Sequence, residues 1–427
     1  MAGGGNPAQP LNANMNIWLC NPFDNLEEEG ARPQRYALLS AELAHRGHEV
    51  TWWTSSFSHS RKAPRIASNG VPLAHAYRNA NGVLMRLVDA PPYSRNISLS
   101  RVLSHRAFAR KWRFAALGAV ETKELSRPDL IVTSLPPLAT HETARALRDA
   151  FGCRIAVDVQ DAWPEAFEGL LPFPSPLRRI VSRILFGWAR ETARRAYLTA
   201  DCITAVGREY LETARGYGAS APMAVFRLGI ADIAEDAEPV ADGPLRLVYG
   251  GNMGASYDLA TLVAAVRTLE RENPDLVRLD IAGTGPTEAK LRKLASGCGA
   301  IAFHGFLQRR EYEQLLRQSE VGVVPMFAKS HVAVPNKLAD YAAAGLAILN
   351  CLTGDSWNLV ASGGPGAVPA VGANYRAGDV AGLADAIRAF AADRNALLSL
   401  RRNALALARR EFLASAIYPA LCDFVLS

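Results

Sequence analysis

The sequence of 427 residues is poor in cysteine, and none of its six cysteines pairs with another in a C-x-x-C motif. Their wide spacing excludes a small disulfide-stapled domain. It also argues against a cysteine zinc site, because the ligands of such sites lie about two to four residues apart. We expect the thiols to be buried and reduced, as in the cytosol.

Long hydrophobic runs are absent as well. No uninterrupted apolar stretch approaches the ~18 residues that a membrane-spanning helix needs. Residues 1–14, MAGGGNPAQPLNAN, have neither the basic start nor the apolar centre of a secretory signal, so they are predicted to form a flexible tail. Together these absences predict a soluble, cytoplasmic protein.

A strong charge of one sign is also lacking, since 47 Lys and Arg against 41 Asp and Glu leave a formal net charge of +6. This surplus does not predict nucleic acid as a partner, and it indicates only a bias towards an anionic ligand or surface. Hydrophobic residues make up 49% of the chain, and glycine and proline show no period, which excludes disordered and collagen-like proteins.

From Met15 onward, short apolar segments alternate with amphipathic ones, which predicts an α/β protein whose parallel sheets are covered by helices on both faces. The stretch 230–244 has no periodicity and is rich in acids, so we predict a linker there. The two predicted doubly wound, Rossmann-like domains are residues 15–229 and 245–409, and a C-terminal helix at about 410–427 is expected to pack back on the first domain. Such sheets bind ligands beyond the carboxyl ends of their strands, which predicts a ligand between the domains.

Two glycine-bearing turns follow predicted strands of the second domain, GGNMG at 250–254 and AGTGP at 282–286. Small residues between a strand and a helix let backbone N–H groups approach an anion, so both turns are candidate phosphate-binding segments. The alternative is that they are only tight turns.

The segment VPNKLADYAAAGLAILN (334–350) is more informative. Pro335 suits the start of a helix, and Lys337 then falls in the first turn, where a cation opposes the helix dipole unless it faces a bound anion. Asp340 follows three residues later on nearly the same face. Lysine for a phosphate and a carboxylate for sugar hydroxyls suit a nucleotide-diphosphate ligand, whereas the alternative is an ordinary surface pair.

In this order and spacing, the segments resemble the bacterial glycosyltransferases of family 4. The resemblance runs over nearly the whole chain and rests on these motifs: RGHEVTWWTS, VDVQDAWPE, LVYGGNMG, DIAGTGP with FHGF, and VPNKLADYAAAGLAIL. It implies the GT-B fold, a nucleotide-diphosphate sugar as co-substrate without a metal or other cofactor, and transfer with retention of configuration. The second and last motifs are typical of the branch that builds capsule, O-antigen and exopolysaccharide, which implies a saccharide acceptor linked to a lipid.

The resemblance assigns donor roles residue by residue. Asp340 matches an acidic position that holds the donor ribose, but Val332 stands where the family has a glutamate against the donor sugar. Asn252 and Asp258 replace the arginine and lysine that many members use for the diphosphate. Lys337, with backbone N–H groups, is the expected replacement.

The loop before the first helix reads Gly30-Ala31-Arg32 where members often have adjacent glycines near the diphosphate, and Arg32 is expected to contact a phosphate of the donor or the acceptor. His304 precedes Gly305, which is expected to contact the base through its backbone. The predicted donor-binding residues are Gly30, Arg32, Gly251, Asn252, Gly254, Gly283, Gly285, Gly305, Phe306, Pro335, Asn336, Lys337 and Asp340.

The acceptor is expected at the mouth of the first domain. Asp161, in QDAWPE, is predicted to be catalytic together with Lys337, and Glu165 to shape the acceptor site; the alternative is that Asp161 caps a turn. Arg35 is expected on the acceptor side, where it would contact a phosphate of the donor or the acceptor, and the alternative is a solvated helix residue. His141, at a strand-to-helix turn, is a candidate cleft residue, although most such histidines are structural.

The predicted helix 176–196 separates basic from apolar residues at ~100° per residue. Such a helix can lie against anionic lipid headgroups, which predicts a peripheral membrane contact. The alternative is that its apolar side packs on the sheet and the arginines are merely solvated. The basic residues are Arg179, Arg183, Arg190 and Arg194, and the apolar ones are Leu177, Ile180, Val181, Ile184, Leu185 and Trp188.

Two other functions remain open from the sequence. A sugar-nucleotide 2-epimerase shares the architecture but needs no acceptor, and the basic region 56–110, predicted to be mostly loop over 56–98, favours a transferase with a bulky acceptor instead. A protein that binds a nucleotide sugar without transferring it would fit the departures at Val332, Asn252 and Asp258.

Overall fold

The computed structural model describes residues 14–427 except 97, 169–170, 172, 238–241, 328–329 and 364–368. The predicted tail at 1–14 therefore lies outside the described residues apart from Asn14, and so does the middle of the predicted linker. The side chain of Arg179 is also outside the description.

Eight strands form the first sheet, in the order β10-β9-β8-β7-β1-β2-β6-β5. All neighbouring pairs are parallel except β5 with β6 at one edge. Central strands such as β7 are buried along their whole length, because helices cover both faces of the sheet. The strands are β1 Asn16–Cys20, β2 Glu49–Ser55, β5 Ala76–Arg78, β6 Leu84–Val88, β7 Leu130–Leu135, β8 Arg154–Val159, β9 Cys202–Ala205 and β10 Met223–Val225. A separate hairpin contains β3 Phe57–Ser58 and β4 Ala63–Pro64.

The helices of the first domain connect these strands. The long helix α2 is capped by Ser98, whose hydroxyl accepts a hydrogen bond from the backbone N–H of Arg101 at 3.2 Å. The helices are α1 Arg35–His45, α2 Leu99–Glu121, α3 Leu138–Phe151, α4 Glu165–Glu168, α5 Ser175–Thr199 and α6 Arg208–Gly216.

The region 56–98, predicted to be mostly loop, also contains four short strands. β6 extends the sheet beside β2, and its basic residue Arg86 forms an ion pair with Glu124 rather than interrupting the strand. The charge in the middle of β6 hid the alternating pattern of the strand. The arginine is tolerated there because its long side chain can carry the charge from the sheet surface to a partner at the solvent.

The second sheet has six parallel strands in the order β13-β12-β11-β14-β15-β16. The chain adds strands outward to one side from β11 to β13 and then to the other side from β14 to β16, so the strand order switches between β11 and β14. Ligands of doubly wound sheets bind at such a switch, so the ends of β11 and β14 mark the expected site. The strands are β11 Leu245–Gly250, β12 Val277–Ala282, β13 Ile301–Gly305, β14 Val321–Val324, β15 Ala347–Asn350 and β16 Gly372–Asn374. The helices are α7 Leu259–Glu272, α8 Glu288–Leu294, α9 Arg309–Arg317, α10 Asn336–Ala343, α11 Asp355–Ser362, α12 Val380–Ala392, α13 Arg394–Glu411 and α14 Ala414–Leu426.

The two sheets confirm the predicted α/β class with two doubly wound units. The chain passes between the units twice, and the two passages lie side by side: the N–H of Ile230 donates to the carbonyl of Phe412 at 2.7 Å, and the N–H of Ala414 donates to the carbonyl of Ile230 at 3.0 Å. After the second passage, α14 packs on α1 of the first domain.

A buried ion pair also joins the two units. Arg227, which follows β10, donates to Asp355 of α11 at 3.0 Å and to Glu411 at the end of α13 at 3.1 Å. Asp355 also accepts the backbone N–H of Arg208. These contacts fix the relative placement of the two sheets around the space between them.

Helix α5 turns its apolar side outward. The face that packs inward, on α3 and the sheet, contains Tyr197 and several small side chains: Ser182, Ala189, Thr192, Ala193 and Ala196. The alternative prediction, in which the apolar side packs on the sheet, is therefore wrong. The exposed apolar side consists of Leu177, Ile180, Ile184, Leu185 and Trp188. None of the helices in the described part of the chain combines the length and hydropathy needed to span a bilayer.

Candidate active site

A cleft of about 840 Å³ lies between the two domains, where the carboxyl ends of their strands face each other. Both domains contribute side chains to it, as the sequence predicts for a doubly wound pair. From the first domain come Phe23, His59, Arg101, Pro136, Gln160, Asp161, Val206, Tyr210 and Leu228. From the second come, among others, Gly251, Asn252, Gly283, Thr284, Phe306, Val332, Pro335, Asn336, Lys337 and Asp340.

The two glycine turns of the second domain are packed backbone against backbone. The N–H of Gly251 donates to the carbonyl of Ala282 at 2.9 Å, and a methyl group added at Gly283 would lie 2.0 Å from the carbonyl oxygen of Gly251. Glycine is therefore required at 283, where φ is +120°. The contact leaves Gly251 and Gly283 on the cleft wall.

Lys337 projects from the first turn of α10 into this wall. Its side chain is only 8% exposed, and Nζ lies over the rings of Tyr257 and Tyr249, 3.9 and 4.9 Å from their centroids. A methyl group added at Gly251 would lie 3.4 Å from Nζ, so the lysine adjoins the glycine turn. Sequence analysis did not anticipate the two tyrosines, whose positions carry no motif.

No carboxylate of the described residues lies within 4.0 Å of Nζ, and none of their atoms accepts a hydrogen bond from it. Burial lowers the pKa of Lys337 to about 7, and the negative charge of Asp340 opposes this shift. A buried ammonium that lacks an anionic partner is costly, and an anion that enters the cleft would remove that cost. The burial of Lys337 and its contacts with the two tyrosines show that it is not part of an ordinary surface pair.

Asp340 lies one turn further along α10 and pairs across the cleft. Nη1 of Arg32, in the loop before α1, donates to Oδ1 of Asp340 at 3.2 Å. Burial raises the pKa of Asp340, and the Arg32 guanidinium opposes that rise. The ion pair therefore joins the two residues that were predicted to meet the donor from opposite domains.

Other predicted donor residues lie at or behind the same wall. Phe306 lines the cleft and is largely exposed, whereas Gly305 accepts the N–H of Gly283 through its carbonyl at 2.6 Å. A methyl group at Gly285 would meet the backbone of Met253, so that glycine packs behind the wall. Gly30 and Gly254 do not line the cleft, and Gly30 ends a single turn of 3-10 helix at a φ of +72°.

The substituted diphosphate positions are divided between cleft and core. Asn252 lines the cleft, whereas Asp258 caps α7 and accepts the backbone N–H of Gly378 at 2.6 Å. Val332 lines the cleft as well, so an apolar side chain stands at that position of the cleft wall. His304 lies outside the cleft and contacts Asp280 at 2.7 Å.

On the first domain, Asp161 lines the cleft just beyond the end of β8. Its Oδ1 accepts the backbone N–H of Ala162 at 2.9 Å, and a hydrogen bond from the Trp163 side chain also stabilises the charged carboxylate. Burial raises the pKa of Asp161, opposed in part by the positive charge of Arg101. The local turn and the cleft position are both present, so the two readings from the sequence are compatible.

Three predicted acceptor-side residues lie outside the cleft. Arg35 is 1% exposed and binds Asp158 through two hydrogen bonds of 2.9 and 2.7 Å, so both its acceptor role and its solvated alternative are wrong. His141 is buried against Thr199, and burial lowers its pKa to about 3, so its cleft role is also wrong. Glu165 accepts the hydroxyl of Tyr217 at 2.5 Å, and its other oxygen is buried, which turns it away from the acceptor.

An aromatic and basic group on the first domain escaped the sequence analysis. Its members come from five separate segments of the chain, and only their basic surroundings in 56–110 gave any signal. The group consists of Phe23, His59, Tyr93, Arg101, His105 and Trp163.

Two family models match the sequence, one on each domain. The model described as Glycosyl transferase 4-like domain matches residues 33–229, and the model described as Glycosyl transferases group 1 matches residues 244–393. No curated protein sequence matches the chain at a significant level.

Several solved structures share the fold over nearly their whole length. Sucrose-phosphate synthase from Thermosynechococcus elongatus has a TM-score of 0.66 at 16% identity, over 96% of this chain and 98% of that one. HepE of Anabaena, in complex with UDP and glucose, has a TM-score of 0.61 at 12% identity, over 97% and 100%. The lipopolysaccharide outer core galactosyltransferase WaaB, in its apo form, has a TM-score of 0.57 at 14% identity, over 96% and 99%. At such identities the likeness shows the fold alone, and it confirms the predicted GT-B fold.

Proposed function

Because the chain belongs to the glycosyltransferases, with a 4-like N-terminal domain and a group 1 C-terminal domain, we propose that it moves a sugar from a nucleotide-diphosphate sugar to a saccharide acceptor. The observation that carries the choice of donor is Lys337, a nearly buried ammonium beside a glycine turn without a carboxylate partner. A diphosphate provides the negative charge that this position lacks. UDP bound to HepE, a protein of the same fold, is consistent with such a donor.

The donor's charged part lies at the wall formed by Lys337 and the two glycine turns. When the sugar leaves, the bond between its anomeric carbon and the diphosphate oxygen breaks, and the negative charge that develops on the diphosphate is stabilised by Lys337 and backbone N–H groups. Asp340 accepts hydrogen bonds from the ribose hydroxyls, and the guanidinium of Arg32 neutralises the negative charge of Asp340. No step requires a metal ion.

The acceptor enters from the first domain, where Asp161 orients the attacking hydroxyl. The new bond joins the acceptor oxygen to the anomeric carbon, and the hydroxyl proton passes to the departing diphosphate. Attack on the face from which the diphosphate leaves retains the configuration, as the resemblance implies. The motif VDVQDAWPE supports an acceptor of the kind used in surface polysaccharide synthesis, a saccharide linked to a lipid.

A donor screen tests this function. Thermal unfolding of the full chain would be followed with UDP-, GDP- and dTDP-sugars, and the donor should raise the melting temperature by mass action. The stabilising donor would then be incubated with acceptor extracts and EDTA, and the product examined by NMR for its anomeric configuration. Transfer with retention, unaffected by EDTA, is expected. Binding without transfer would favour the non-catalytic alternative, and a free epimerised sugar nucleotide would favour the epimerase.

We further propose that the first domain docks on an anionic membrane through the exposed side of α5. Ile184 is 76% exposed at the centre of this apolar stripe, and Arg183 and Arg194 are exposed along one flank of it. Helix α2 extends the same surface, because the guanidinium of its Arg106 lies 4.7 Å from the ring centroid of Trp188. Exposed apolar side chains flanked by arginines are the composition of a helix that lies in the headgroup region.

Flotation on liposomes tests this docking. The double substitution Ile184→Glu and Leu185→Glu should reduce binding to vesicles that contain anionic lipid at least tenfold, because two apolar side chains leave the interface and two like charges face the lipid. Val71→Glu, at an exposed valine in the loop before β5, is the matched control and should bind as the wild type does. Equal binding to neutral and anionic vesicles, or no effect of the double substitution, would remove the proposal.

A further inference from the structure

The acceptor side of the cleft contains an arginine that has no acidic partner. Arg101 lines the cleft between two rings, with its guanidinium carbon 4.8 Å from the centroid of Trp163 and 5.4 Å from that of Phe23. Nη1 donates to the carbonyl of Asn96 at 2.7 Å and Nε to His105 at 3.3 Å. In the part of the chain that the structure describes, no carboxylate lies within 4.0 Å of this guanidinium.

A second cation stands behind the first. Nζ of Lys62 lies 4.9 Å from the ring centroid of Tyr93 and 3.2 Å from Nδ1 of His59, which also contacts the Tyr93 hydroxyl at 2.5 Å. Burial and the charge of Arg101 lower the pKa of Lys62 to about 8, and burial lowers that of His59 to about 3. The histidine is therefore neutral, and the two cations repel each other across it.

The backbone of Lys62 is itself held in an unusual conformation. Its φ is +55°, in the left-handed region that favours glycine, and it follows the short strand β3. A non-glycine residue keeps such a conformation only where its surroundings fix it, and such residues cluster at ligand sites. In this conformation of Lys62, Nζ lies beside Nδ1 of His59.

The balance of charge indicates the class of ligand. Asp161 is the one carboxylate among the described first-domain residues that line the cleft, and it faces Arg101 there, while the partly buried Lys62 adds a second positive charge nearby. A group with two negative charges and several oxygens matches this surplus better than a lone carboxylate does. Arginine forms paired hydrogen bonds to phosphate oxygens, and stacking on Trp163 fixes the orientation of the planar guanidinium group for that contact.

Aromatic rings connect this position to the membrane-facing surface. Trp163 contacts Phe167 with ring centroids 4.6 Å apart, and Phe167 stacks on Phe186 of α5 at 6.0 Å. The exposed apolar side of α5 follows on the same helix. A ligand with an anionic group at Arg101 can thus extend an apolar chain along this row towards the lipid surface.

We propose that Arg101, supported by Lys62, binds a phosphate or diphosphate that the acceptor carries between its saccharide and an apolar chain. The inference rests on the proposed function, and it gives the acceptor's anion a position separate from that of the donor diphosphate at Lys337. It also transfers to Arg101 the phosphate contact that the sequence had suggested for Arg35.

Calorimetric titration of the full chain at pH 7 tests the assignment, with inorganic pyrophosphate as the first probe. The wild type should bind pyrophosphate at two positions; R101Q should lose one and K337A the other. R110Q, at an exposed arginine further along α2, should retain both, and R101K should recover part of the binding that R101Q loses. Loss of a hydrogen-bonded charge predicts a weakening of about 10- to 100-fold at the affected position.

The second probe is decyl phosphate, used below its micelle concentration against inorganic phosphate. Binding at least tenfold tighter than inorganic phosphate, abolished in R101Q, is expected for a lipid-linked anion. Equal affinities would overturn the apolar chain, and unchanged binding of both probes in a folded R101Q would overturn the site. If K337A still binds pyrophosphate at both positions while R101Q loses one, the donor assignment is contradicted and the assignment of Arg101 stands.

Discussion

Replacing Lys337 with alanine is expected to lower kcat/KM for the donor by about 100- to 1000-fold, the usual effect of removing one preorganised group that stabilises leaving-group charge. The lysine contacts two tyrosine rings and no carboxylate of the described residues, so its loss breaks no ion pair within the protein. Thermal unfolding at pH 6 should therefore show an unchanged or higher melting temperature. K337M, which keeps the aliphatic stem on the rings, should lose activity to the same extent.

Lys290→Ala, at an exposed lysine of α8 in the same domain, is the matched control and should keep wild-type turnover. Wild-type turnover in K337A would show that Lys337 has no role in the reaction. If K337A unfolds and is inactive while K337M stays folded and active, the role of the lysine is structural.

The pH profile provides an independent readout of the same residue. Because the pKa of Lys337 is lowered to about 7 in the free protein, kcat/KM should fall about tenfold per pH unit above pH 7 as the ammonium loses its proton. In K337R the charge persists, so any remaining activity should not fall over that range. A wild-type profile that is flat from pH 7 to 9 would contradict the assignment.

Replacing Arg35 with alanine is expected to destabilise the first domain by about 3–5 kcal/mol, because it leaves the buried carboxylate of Asp158 without its counter-charge. The carbonyls of Phe226 and Arg227 lose their donor at the same time. Thermal unfolding should show a fall in melting temperature on the order of 10 °C. R113A, at an exposed arginine of α2, should leave it unchanged.

A second variant separates packing from charge. The double substitution R35M/D158N removes both charges, and it should recover part of the stability that R35A loses, since the amide oxygen of asparagine can take the place of Oδ1 and still accept the hydroxyl of Thr204. If R35A instead unfolds like the wild type and raises only the acceptor KM, the acceptor-side prediction for Arg35 would be restored.

The fold was largely predictable because its determinants are local. The alternation of apolar strands with amphipathic helices identified both sheets, and Pro335 with Lys337 placed the start of α10 correctly. β6 escaped because Arg86 interrupts its apolar pattern, and its partner Glu124 lies in another segment.

The site was only partly predictable, because the direction of a polar side chain depends on distant residues. Arg35 and Arg32 are three residues apart in sequence, yet one pairs in the core with Asp158 and the other across the cleft with Asp340. Nothing in the local sequence distinguishes them. Arg101 likewise acquires its surroundings from Phe23 and Trp163, which are far away along the chain.

The position of α14 has a consequence for the synthesis of the protein. Tyr418, Leu421 and Val425 are buried in the same cluster as Leu39 and Leu43 of α1, so a helix that is translated after the second domain completes the first domain's core. A nascent chain that ends before this helix exposes that apolar face of the domain made first. The domain that emerges first from the ribosome is therefore completed only after the second domain has been synthesised.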